Sequence, residues 1–280
     1  ESGVAEIEVS SFVSPRWVPQ LADAADVFAG ITRRAGLIYS ALVPNEKGLA
    51  RAMEARADKI SLFTAASETF NQKNINTTVA GSLRRFAPVV AAARREGLAV
   101  RGYLSTAFWC AFEGAVRPQA VVDLALRLME LGVDEVSVSD TIGKATPDEV
   151  RRLLDLLLPR LGVDKIALHF HDTYGNGAAN IQAAMPYGIE SYDASVGGLG
   201  GCPYAPGASG NVATETVVAT LIAEGARVDV DMDRLRAARR LLDPYLVDER
   251  RSRPAADSHI CDSCQYSTGD DCCDRFRESA

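Results

Sequence analysis

The run Glu135-Val-Ser-Val-Ser-Asp140-Thr-Ile-Gly-Lys-Ala-Thr146-Pro147-Asp148-Glu149-Val150 reads as one strand, one turn and one helix start. Glu135–Ser139 is short and strand-like, and Asp140-Thr141-Ile142-Gly143 turns the chain. Thr146 then begins a helix. Its hydroxyl can cap, Pro147 occupies the first helical position where a missing N–H costs nothing, and Glu149 completes a capping box.

The same alternation extends outward in both directions. Further strands are expected at Ala5–Ser10, Leu37–Leu42, Lys59–Thr64, Ala99–Thr106, Lys165–His171 and Ser191–Ser195, separated by amphipathic helical stretches such as Thr77–Glu96 and Pro118–Leu131. Repeated strand–helix units predict an α/β chain of the TIM (β/α)8 barrel type. A closed barrel needs eight strands and seven are read here, so the first βα unit is expected to be missing from this chain. The competing architecture is an open doubly wound sheet. The first βα turn carries no Gly-rich phosphate fingerprint, which counts against it.

Composition bounds the rest. The 280 residues are 47% hydrophobic, enough for one sizeable core. A net charge of −7 argues against a nucleic-acid surface, and no apolar run reaches the roughly 18 residues of a membrane span. Residues 1–247 are expected to form the catalytic barrel and residues 248–280 a polar, Cys-rich tail. That tail holds His259, Cys261, Cys264, Cys272 and Cys273. Structural zinc, thiol–disulfide regulation and an unstructured tail are its three readings. A barrel of this size needs no disulfide framework, so a reducing, cytoplasmic setting is expected, with any targeting segment outside the chain.

Two of the three His residues lie in His169-Phe170-His171-Asp172. At a spacing of two on a strand, both imidazoles face one side and Leu168 and Phe170 the other. At the C-terminal end of a barrel strand that side lines the catalytic mouth. The pair can bind one divalent ion, or stand as hydrogen-bonded polar residues of the interior. The loop from Ser195 to Asn211 places six Gly within residues 197–210, with Cys202 among them. A thiol in a loop over an active site suits proton transfer or nucleophilic attack; the plain alternative is a flexible linker. Asn211 reads either as the N-cap of the next helix or as an oxygen ligand for a hard metal ion. Strand ends add Glu8, Thr106 and Asp140, each fitting either structural pairing or function. Glu8 shares a strand face with Glu6 and Ser10, opposite Ile7 and Val9.

The Ser195–Asn211 loop resembles the Cys-containing signature loop of the 3-hydroxy-3-methylglutaryl-CoA lyase family. Glu8-Val-Ser-Ser-Phe-Val-Ser-Pro-Arg-Trp-Val-Pro-Gln20, Lys73-Asn-Ile-Asn76, Asp140-Thr-Ile-Gly143 and His169-Phe-His-Asp-Thr-Tyr-Gly175 are similar to the same family in the same order. The resemblance implies cleavage of 3-hydroxy-3-methylglutaryl-CoA to acetyl-CoA and acetoacetate. It implies Mg²⁺ or Mn²⁺ held by His169, His171 and Asn211, with Cys202 as catalytic acid or base. Glu8, Asp140 and His169 follow as catalytic, and a homodimer as the expected assembly. The family's first strand ends in an Arg-Asp pair, which this chain lacks. A related 3-hydroxy-3-alkylglutaryl-CoA substrate, or a non-catalytic binding role, are the alternatives. None of the five Lys falls in the C-terminal half of a strand, where a Schiff-base Lys is expected, so a metal is the consistent choice for C–C cleavage. Lys47, Lys73 and Lys144 lie in loops at the mouth, either meeting the phosphates of an acyl-CoA or serving as surface charges. Lys73 and Thr106 are the candidate substrate contacts.

Overall fold

Residues 2–200 and 210–246 are described by a computed structural model. All seven expected strands form: β1 (Glu6–Ser11), β2 (Ile38–Leu42), β3 (Lys59–Ala65), β4 (Ala99–Ser105), β5 (Glu135–Asp140), β6 (Ile166–Phe170) and β7 (Ser191–Asp193). They lie side by side in chain order, and every pairing is parallel. Such an order requires crossover connections, and helices supply them. These are α1 (Ala24–Gly30), α2 (Glu46–Glu54), α3 (Glu68–Ile75), α4 (Val79–Arg95), α5 (Pro118–Leu131), α6 (Pro147–Leu161) and α7 (Gly177–Ala184). After β7 come α8 (Thr214–Ala223) and α9 (Met232–Arg240). This is the strand order of a (β/α)8 barrel, with β1 and β7 at its two ends among the described residues. No helix among them is long and apolar enough to cross a membrane.

Local chemistry explains the elements. Thr146 accepts from the Glu149 N–H while the Glu149 carboxylate accepts from the Thr146 N–H, so the capping box opens α6 as the sequence predicts. Within α6, Val150, Leu153, Leu154 and Leu157 are buried at the i, i+3, i+4, i+7 spacing of one helix face. That face meets the outer side of the sheet, where Val136, Val138, Ile166 and Leu168 have almost no exposed surface. Burying each such side chain stabilises by roughly 1.5–3 kcal/mol. Lys165 lies in a 3₁₀ turn just before β6 rather than in the strand itself. A two-residue hairpin, Trp109–Cys110 against Gly114–Ala115, follows β4 and is not foreseen in the sequence.

The inner face of the sheet is polar, and its contacts measure the curl. Glu8 on β1 accepts from the Tyr103 hydroxyl on β4 at 2.7 Å. In a flat sheet those strands stand about 14 Å apart with side chains running parallel. Lys59 on β3 donates to Glu6 on β1 at 2.9 Å and to Glu135 on β5 at 2.7 Å. Arg101 on β4 grips Glu135 through Nε (2.9 Å) and Nη2 (2.8 Å), and reaches Asp193 on β7 through Nη1 at 2.5 Å. Contacts between strands three apart require the sheet to curl as a barrel wall does. The Arg101 side chain is only 7% exposed, so its charge has little water to fall back on.

Two predictions follow from this network. Arg101→Leu leaves Glu135 and Asp193 without their main counter-charge and is expected to cost about 3–5 kcal/mol in urea denaturation. Burial alone would raise the Glu135 carboxyl, but the Arg101 guanidinium, with Lys59, holds it below its ordinary value. A depressed carboxylate stabilises the fold above its unfolded pKa, and that contribution disappears as pH falls through the lower folded value. The wild-type melting temperature is therefore expected to fall more steeply than that of Glu135→Gln between roughly pH 5 and pH 3. Parallel curves would remove Glu135 from the account.

Candidate active site

His169 sits on the inner face near the end of β6, and His171 follows one residue beyond the strand. Their rings stand 5.2 Å apart, centroid to centroid. Asn211 reaches them through backbone pairing. The Asp172 N–H donates to the Gly210 carbonyl at 2.9 Å, and the Val212 N–H to the Phe170 carbonyl at 3.1 Å. Those two bonds set Asn211 opposite His171 in an antiparallel bridge, though forty residues separate them in sequence. The side chain of Asn211 interacts with both imidazoles and donates through Nδ2 to the Leu199 carbonyl at 2.9 Å. Gly200 packs against the same amide: a Cβ there would lie 2.9 Å from Asn211 Nδ2, and its φ of +99° is one that glycine alone adopts readily. Asn211 is not an N-cap. Helix α8 starts at Thr214 and is preceded by Ala213.

Burial sets the protonation of this cluster. Desolvation lowers both imidazoles, and for His171 the neighbouring His169 adds to the effect and brings it to about 4. Both are neutral at pH 7, which is the ligand form of imidazole. Among the described residues His171 Nδ1 is buried with no hydrogen-bond partner, an orphaned atom that a cation would satisfy. Two neutral nitrogens and an amide oxygen make a donor set for a divalent ion that takes its other ligands from water or substrate. Among the described residues no group of three or more His, Cys, Asp or Glu side chains is arranged to hold a metal.

The remaining candidates fall in three places. Glu8 lies on the inner face below the mouth. The residue is exposed, yet desolvation by the protein around the carboxyl raises its pKa, with the Tyr103 hydrogen bond opposing. Asp140 points to the other side of β5, as strand alternation dictates, and is fully buried. Its two carboxylate oxygens accept from the N–H groups of Lys144 (3.1 Å) and Ala145 (3.0 Å), holding the turn that leads into α6. Burial pushes that carboxyl up to about 7 against the pull of those bonds. Thr106 is also fully buried. Its hydroxyl accepts from the Ser67 N–H at 3.2 Å, and its own N–H donates to Thr141 Oγ at 2.7 Å. A β-branched residue at φ +53° is strained, and here it locks together the loops after β3, β4 and β5.

Two mouth lysines rest on aromatic rings of the β4 hairpin region. Lys73 Nζ lies 4.9 Å from the Phe112 centroid and Lys144 Nζ 3.8 Å from that of Trp109. Lys47 is exposed on α2. Cys202 and the tail cysteines lie outside the described residues. Sequence reading missed Arg101, Tyr103, Ser137 and Asp193, the polar residues beneath the imidazoles. Extending to every strand the alternation applied to Glu8 would have placed them on the inner face.

The model of the HMGL-like family matches residues 1–242. The chain belongs to the HMGL-like family. A Pseudomonas aeruginosa relative, 3-hydroxy-3-isohexenylglutaryl-CoA/hydroxy-methylglutaryl-CoA lyase, is 48% identical over 84% of this chain and 78% of its own length. The solved HMG-CoA lyase of Brucella melitensis superposes with a TM-score of 0.85 at 49% identity, covering 87% of this chain and 86% of that one. The HMG-CoA lyase of Acinetobacter baumannii, solved with coenzyme A and 3-methylmalate, matches at 37% identity with a TM-score of 0.83, covering 92% of this chain and 86% of that one. For an HMGL-like chain, the mouth built by the ends of β5 and β6 is the place to test.

Asp140→Ala removes both acceptors of the turn and is expected to cost about 1–3 kcal/mol, with faster amide exchange at Lys144 and Ala145. Asp140→Asn keeps one acceptor and is expected to lose less. Unchanged exchange in the alanine variant would show that the turn holds without it.

Proposed function

We propose that this chain is the catalytic barrel of a divalent-metal-dependent lyase that splits 3-hydroxy-3-methylglutaryl-CoA into acetyl-CoA and acetoacetate. The observation that carries this reading is the His169–His171–Asn211 cluster at the C-terminal end of β6, in a chain 45–49% identical to several proteins named for that activity. Mg²⁺ or Mn²⁺ is the ion proposed, with the two imidazoles and the Asn211 amide oxygen as this chain's ligands. Such an ion supplies Lewis-acid stabilisation of negative charge developing on the substrate's tertiary oxygen.

The chain's own groups divide the remaining work. The tertiary hydroxyl loses its proton as the C–C bond breaks, and the bonding pair passes to the methylene carbon beside the thioester. Glu8, an inner-face carboxylate with a raised pKa, is the proposed base for that proton. The resulting thioester enolate takes a proton on carbon, and Cys202 is the proposed donor. The described chain brings Gly200 against Asn211, and Cys202 follows two residues later in sequence. His169 and His171 orient the reacting end. Asp140 and Thr106 act at a distance, by fixing the loops that frame the mouth. Lys73 is the proposed contact for the phosphates of the acyl-CoA, as an exposed cation beside that mouth.

The test uses the full-length polypeptide with Mg²⁺ and 3-hydroxy-3-methylglutaryl-CoA, following acetoacetate release. Turnover that EDTA abolishes, and that falls about 10²–10⁴-fold in Cys202→Ala with substrate KM little changed, is the expected result. Metal-independent turnover, or full activity without the thiol, would overturn it. A second reading draws on the name of the Pseudomonas relative: a longer 3-alkyl group in the same substrate. Higher kcat/KM for the isohexenyl homologue than for the methyl compound would select it.

A further inference from the structure

We infer that Asp193 is a positioning residue for His169, fixing the direction in which that imidazole presents itself at the site. The inference rests on the proposed metal reading and concerns a residue outside the expected ligand set. Register makes the contact unavoidable. His169 and Asp193 are direct partners on the parallel strands β6 and β7, so their side chains leave the same face side by side. Asp193 Oδ2 lies 3.9 Å from His169 Nδ1. That separation is longer than a direct hydrogen bond, within reach of one bridging water, and places the carboxylate on the Nδ1 side of the ring. On the inferred role, the carboxylate keeps the proton on Nδ1 and leaves Nε2 for the site.

The carboxylate can orient a ring because it is itself held at both ends. Arg101 Nη1 binds Oδ1, and Ser137 Oγ donates to Oδ2 at 2.6 Å. Arg101 in turn is clamped on Glu135 by two bonds. The direct supports of the carboxylate are therefore Arg101 and Ser137, and the carboxylate in turn faces the imidazole. Among the described residues His171 has no equivalent: its Nδ1 is buried and has no hydrogen-bond partner there. Among the described residues the two imidazoles are thus built differently, one beside a held carboxylate and one with an unpartnered nitrogen. A carboxylate behind a metal-binding imidazole fixes both its tautomer and its ring plane. The plainer role for Asp193 is to balance the charge of Arg101, and the two roles separate by experiment.

Mn²⁺ affinity of the full-length protein, read by EPR titration, is compared for wild type, Asp193→Asn and Glu135→Gln. Both variants remove a partner of Arg101, but only the first removes the group facing His169. Asp193→Asn is expected to weaken Mn²⁺ binding about 10–100-fold. Glu135→Gln is expected to lower the melting temperature while leaving Mn²⁺ affinity within about twofold of wild type. Long-range ¹H–¹⁵N spectra of the metal-free protein should show His169 protonated on Nδ1 in wild type and mixed tautomers in Asp193→Asn. Equal loss of affinity in both variants, or none in Asp193→Asn, would overturn the positioning role while the lyase reading stands. A wild-type protein that turns over substrate without binding Mn²⁺ or Mg²⁺ would overturn the metal reading and this inference together.

Discussion

The guanidinium of Arg101 ties together strands that a flat sheet would keep apart. It binds Glu135 on the adjacent β5 and Asp193 on β7, three positions away. With Lys59 joining Glu6 to Glu135, two cations and three carboxylates share the inner base of the wall. Barrel interiors are usually filled by layers of branched aliphatic side chains. Here the aliphatic residues lie on the outer face, against the helices, and the interior is built from charge. A buried charged network is weak evidence for stability, because desolvation offsets most of the Coulomb gain. Its effect is geometric: an unpaired member is so costly that only one degree of curl satisfies all of them.

That polar interior continues upward without a break. Above Arg101 come Tyr103, Ser137 and Asp193, then Glu8 and His169, and at the rim His171 and Asn211. A barrel with an apolar plug separates its stabilising base from its reactive mouth. In this chain one run of polar side chains spans both levels.

The strands were legible in the sequence because each is short, apolar on one face and bounded by clear turn or cap residues. All seven appeared within two residues of their expected limits, and the His169–His171 pair landed at the mouth for the reason its spacing implied. Glu8 was legible by the same alternation. Two kinds of information were not. The pairing of Gly210–Val212 with the end of β6 depends on tertiary proximity, so Asn211 could be read equally as an N-cap or as part of the site. The roles of Asp140 and Thr106 depend on loop geometry. Asp140 looks like a catalytic carboxylate in sequence, and folding turns it toward the backbone N–H groups of Lys144 and Ala145.

Thr106 shows how a buried loop residue can set the shape of the rim. A threonine at φ +53° is held in a conformation that its own sterics oppose. It persists because its N–H and hydroxyl both have buried partners in neighbouring loops, Thr141 and Ser67. Releasing either partner would let the backbone return to an ordinary conformation and carry three loops with it. The β3, β4 and β5 loops frame the rim beside the imidazoles. Their shape is thus set by a strained residue with no exposed surface, while His169 faces Asp193 and, through it, Arg101. Rigidity reaches this rim from two buried sources, and the His169–His171–Asn211 cluster stands where both converge.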